Sequence, residues 1–181
     1  MSARCASLNH PSRAVIFVSL FALSACGSPR PPGLTSADIP SYLGVTTDSS
    51  ATAAWSSRLS TPHGCNKAGV GVFTVPGKPL NSLLVPGPAH SPAVISMLLS
   101  CATTSQARRS FATAVGASVS GFSDQAKWLN KGVTPDGDQV FAITWRKDRH
   151  LGTVLVAGPV GDTRIGPGLT ESLARRAIAE S

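Results

Sequence analysis

Charge and aromatic side chains are both sparse in this chain. Charged residues make up 14% and aromatics 6% of its 181 positions. The net charge of +7 is basic but diluted along the sequence. Arg146, Lys147, Arg149 and His150 form a cluster, and Asp148 interrupts it. Nucleic-acid binding needs cations gathered on one face, ideally with aromatics interleaved, and that footprint is missing. Long apolar runs are equally scarce. The N-terminal stretch ending near Ala25 has an apolar run of about a dozen residues, and no later run approaches the 18 residues a membrane-crossing helix requires.

Several glycine-dependent motifs begin and then fail. The segment Gly116-Ala117-Ser118-Val119-Ser120 lacks the second glycine of a nucleophile elbow, so no strained turn exposes a serine. Residues 71–78 are one position too long for a phosphate-binding loop and continue with Pro79, where a magnesium-binding hydroxyl belongs. Gly69-Val70-Gly71 has no third glycine for a dinucleotide fingerprint. His63, Cys65 and Cys101 do not have the spacing of a metal-ligand set. Asp136-Gly137-Asp138 is a solvated turn rather than a calcium loop. No cofactor and no metal are expected, and the absence of a catalytic motif argues against an enzyme.

What the chain does contain is core-forming material, with 42% hydrophobic residues. It also has a patterned N-terminus. Arg4 and Arg13 precede an apolar run of about a dozen residues that spans only roughly 18 Å as a helix, short of the ~30 Å of a bilayer core. Such an order of basic, apolar and small residues is that of a signal peptide. Directly after it, Leu23-Ser24-Ala25-Cys26 resembles the bacterial lipobox, in which signal peptidase recognises the aliphatic and small residues and the cysteine thiol is lipidated. The resemblance implies a signal peptide over residues 1–25 and a lipidated Cys26 that opens a Pro/Gly-rich spacer over residues 26–40. An extracytoplasmic domain would then span residues 41–181. Two acyl chains carried by one sulfur pass the two-signal threshold for stable membrane attachment. The expected location is the cell membrane, lipid-anchored and facing the extracytoplasmic side. Removing Arg4 and Arg13 from the 16 basic residues leaves 14 against 9 acidic ones, a mature charge of +5.

The other cysteines follow from that compartment. Cys5 departs with the signal peptide and Cys26 carries lipid, which leaves Cys65 and Cys101 as a pair in an oxidising setting. A structural disulfide is the first reading, and free thiols or metal ligation the second.

Along the mature chain, a short helix is predicted from Ser49, with Ala51, Trp55 and Leu59 on one side. Residues 69–75 and 80–85 read as strands ended by Pro-Gly turns. Residues 94–101 are apolar enough for a buried strand or a helix. Ser105 is positioned to cap a helix carrying Ala107, Phe111, Ala114 and Val115. Residues 122–129 suggest a short helical turn that brings Phe122, Ala126 and Trp128 to the core. After a turn at residues 134–138, residues 140–146 and 151–156 read as a hairpin around Lys147-Asp148-Arg149-His150. A last helix over residues 171–180, capped by Thr170, presents Leu173, Ala174, Ala177 and Ile178 as its apolar stripe. The order predicts an α+β fold, an antiparallel sheet with helices packed on one face. Trp55, Trp128 and Trp145 are too dispersed for a ligand box and are assigned to packing.

The lipobox, the Cys65 and Cys101 pair, and Gly121-Phe122-Ser123-Asp124-Gln125-Ala126 followed by the hairpin and closing helix are similar to small actinobacterial, particularly mycobacterial, lipoproteins with sensor-like domains. The resemblance implies an open α+β domain whose groove holds a cell-envelope ligand or protein partner, with no catalytic residue carried over. Two functions are therefore expected in order. The first is a noncatalytic, membrane-anchored binding module, with Arg146, Lys147, Arg149 and His150 as candidates for anion or surface contact. The second is an envelope enzyme whose site is assembled from distant residues, using His63, His90 or His150.

Overall fold

A computed structural model describes residues 33–78, 91–134 and 137–181. Residues 94–101, ambiguous by composition, form with Ala93 a strand buried on both faces, which explains a largely apolar run in place of alternation. This strand is β3 (Ala93–Cys101), central in a seven-stranded antiparallel sheet. Before it come β1 (Thr46–Thr47), α1 (Ser49–Arg58) and β2 (Cys65–Thr74). After it come α2 (Thr104–Ala112), β4 (Ala117–Val119), β5 (Gln125–Val133), β6 (Asp138–Lys147), β7 (His150–Pro159) and α3 (Pro167–Ala179). The strand order is β1-β2-β3-β7-β6-β5-β4, so α2 carries the chain from the sheet centre to the far edge. The strands then return as a meander. The predicted α+β class with an antiparallel sheet is the class observed.

The two faces are covered differently. Val94 pairs with Val156, and Phe141, Ile143 and Trp145 share their side of the sheet with Ala126. These pack beneath the stripe Leu173, Ala174, Ala177 and Ile178 of α3. Leu99 pairs with Leu151 on the opposite side, where Ala107 and Phe111 of α2 and the two cysteines close a smaller cluster. Trp145 and Gly152 are cross-strand partners, and the indole lies flat over the glycine. A β-carbon at Gly152 would stand 2.0 Å from the indole Cζ2, so only glycine admits the ring.

Several boundaries differ from the sequence expectations. The cap of α2 is Thr103, not Ser105: Thr103 and Gln106 form a reciprocal capping box. Ala107 and Phe111 are buried as predicted, whereas Val115 is exposed. Thr170 does not cap the last helix. It lies within α3, fully buried, and its hydroxyl donates to the Gly166 carbonyl, while Pro167 opens the helix. Residues 122–129 hold no helical turn. They lead into β5, and period-two alternation still places Ala126 and Trp128 at the core. The stretch read as spacer joins the fold before its predicted end, since Leu34 and Ile39 are buried in the main cluster. The strand expected at residues 80–85 lies outside the described residues, as do Pro135 and Asp136 of the predicted turn.

Candidate functional site

The edge of the sheet at β2 has an unusual composition. Gly69 and Gly71 present bare backbone, and a register shift between Lys67 and Gly69 bends the strand. Only two residues of β1 pair beside it, at Thr74 and Phe73. Beyond β1 the chain turns into α1, started by Asp48, whose side chain accepts from the Ala51 amide and from the Thr74 hydroxyl. Helix α1 then runs along the edge in place of a strand. The Thr52 hydroxyl accepts from the Val72 amide at 3.0 Å, and the Lys67 ammonium donates to the Ser56 carbonyl.

Two adjoining hollows result, of about 250 Å³ and 470 Å³, which share Thr47, Thr52, Gly69 and Val70. Phe73 and Leu34 floor the first, with Thr35, Ser36 and Ser96 around it. Ser49, Ala53, Ser56 and Lys67 border the second. The lining is therefore hydroxyl groups and peptide over an apolar floor, with a single cation whose ammonium already serves α1. Such a surface suits an uncharged ligand that exchanges hydrogen bonds and offers one apolar face.

The cluster predicted at the β6–β7 turn is not one surface. Arg146 is buried, and its guanidinium binds the Asp124 carboxylate at 2.8 Å, Gln125 Oε1 at 2.9 Å and the Asp148 carbonyl at 3.0 Å. The same Asp124 oxygen accepts from the Asp148 amide, so the network fixes the hairpin turn, in which Asp148 has φ 50°. Lys147 projects to the other face and donates to the Ile178 and Ser181 carbonyls at the end of α3. Arg149 remains exposed. His150 is half-buried and titrates below the ordinary imidazole value, first through loss of hydration and then through the charge of Arg149. Asp148 pulls it upward and Lys147 lowers it further.

Cys65 and Cys101 are cross-strand partners in β2 and β3 and are joined as a disulfide. His63 is exposed beside them, and no hydrogen bond joins either His63 or His150 to a described carboxylate or hydroxyl. His90, Leu23, Ser24, Ala25 and Cys26 lie outside the described residues. Among the described residues no group of three or more His, Cys, Asp or Glu is placed to hold a metal, and no helix is long and apolar enough to cross a membrane. The hollows at β2 went unpredicted, because they are built from four separated stretches that carry no motif. No protein-family model matches the chain, and no curated protein matches it at a significant level.

Proposed function

We propose that this chain is a cell-envelope lipoprotein, tethered through acyl chains on Cys26, whose domain binds an uncharged hydrogen-bonding ligand in the groove beside β2. The observation that carries the ligand reading is the groove itself, where serine and threonine hydroxyls and glycine backbone rim an apolar floor. The tether rests on Leu23-Ser24-Ala25-Cys26 and its preceding apolar run. The cross-strand disulfide and the lack of a membrane-length helix among the described residues are compatible with an extracytoplasmic domain. No acid–base pair lines the groove, so binding and release without chemical change is the activity it supports best.

Thr47 is exposed and touches both hollows, so Thr47→Trp fills them from the rim without entering the core. Native mass spectrometry of protein extracted from membranes in mild detergent should find a small molecule on the parent and not on Thr47→Trp. Equal retention by both proteins would remove the groove from consideration.

A further inference from the structure

The sheet separates charge along its strands. At the end formed by the β6–β7 turn, Arg149 is exposed at the turn itself. Helix α2 starts at this end from Cys101 and exposes Arg108 and Arg109, and α1 finishes there with exposed Arg58. Helix α3 descends to it, as the Lys147 contacts with Ile178 and Ser181 show, and exposes Arg175 and Arg176 on its last turns. The anions at this end are few, and Asp124 is already spent on Arg146. Asp148 and Glu180 leave the cations in excess. The opposite end carries Asp48, Asp138, Asp162 and Glu171 against two cations, Lys78 past the end of β2 and Arg164, which is forked onto Asp162.

We infer that the arginine-rich end docks on a bilayer of anionic phospholipids. The inference rests on the tethering reading and adds an orientation to it. Seven residue-to-residue steps lead from Cys26 to Gly33 and can span at most about 24 Å. Gly33 lies against Ser96, and the five residues from there to Cys101 cover roughly 17 Å of strand. A lipid-bound Cys26 thus allows this end to reach the headgroups. An anionic surface attracts it and repels the carboxylate-bearing end. The residues responsible differ from those first singled out: Arg146 is consumed internally, and Arg108, Arg109 and Arg149 are the available contacts.

The test uses the membrane-extracted protein on vesicles of phosphatidylcholine alone or mixed with phosphatidylglycerol. Spin labels are placed at Ser105→Cys, on the arginine-rich end, or at Thr163→Cys, on the other. Docking predicts that the Ser105 label is shielded from a polar relaxation agent on the mixed vesicles only, that high salt restores its access, and that the Thr163 label stays open. Replacing Arg108, Arg109 and Arg149 together by Ser should lower the docked-to-free ratio on the order of a hundredfold, at about fivefold per cation. Equal access at both labels on both vesicles, or shielding at Thr163, would overturn the orientation. Failure to float with phosphatidylcholine vesicles would instead remove the tether. In that case retention by the mixed vesicles at low salt upholds docking, and its absence ends it.

Discussion

Trp145 is fully buried, and its Nε1–H has no partner among the described residues, so its contribution is packing rather than hydrogen bonding. That packing depends on Gly152 beneath the ring. Gly152→Ala should therefore cost about 3 kcal/mol or more, measured by urea unfolding, because neither strand can move away without breaking its ladder. His150 gives a second expectation. Its folded pKa is depressed, so between its unfolded value near 6.5 and the lower folded value the unfolded chain binds more protons. Stability should fall as pH drops through that window and level off below it. His150→Gln should flatten the dependence in paired unfolding titrations, and an unchanged slope would assign it elsewhere. Residue-level misreadings also had physical causes. Thr170 resembles a cap by type, but Pro167 is the stronger start signal. Thr103 and Gln106 spelled out a capping box that Ser105 obscured.

Among the elements, those with a clear period were legible. The 140–156 hairpin and the helix from Ser49 are where the pattern placed them, and the closing helix keeps its predicted stripe but starts at Pro167. Residues 122–129 misled because Phe122 and Ala126 are four apart, as on a helix, while Ala126 and Trp128 are two apart, as on a strand. Pairing with β6 decides between them. The three residues of β4 and the two of β1 are too short to leave a pattern, and they exist because neighbouring strands offer partners. The groove was unreadable for a related reason: the separated stretches that build it meet only through tertiary packing. The disulfide pins β2 to β3 at the end that α2 leaves. With the cysteines 36 positions apart, reduction should lower stability by roughly 4 kcal/mol in the chain-entropy account. Unfolding with and without reductant measures it, and a difference well under 1 kcal/mol would mean that the strand ladder alone restrains the pair.

For the molecule as a whole, address and fold are separable. Leu34 is the earliest described hydrophobic residue in the core, and Cys26 lies eight positions upstream of it. Cys26→Ala should abolish incorporation of a labelled fatty acid while leaving the melting temperature of the domain unchanged. Equal labelling of variant and parent would refute the lipid assignment, and a lowered melting temperature would show that the N-terminal segment contributes to the fold. The charge separation belongs to this scale as well, because it arises from how four elements converge on one end and from no single run in the sequence.

Both lateral borders of the sheet are short or interrupted. Along one, α1 occupies the place of a strand. Along the other, β4 stops after three residues, and β5 continues into a bulge where the Asn130 side chain accepts from the Gly132 amide. Crowding, whether in a lipid film or a concentrated solution, normally encourages exposed ladders to zip together from molecule to molecule. Here neither border offers a long, flat ladder for such growth, so dense packing of many copies should leave each one separate.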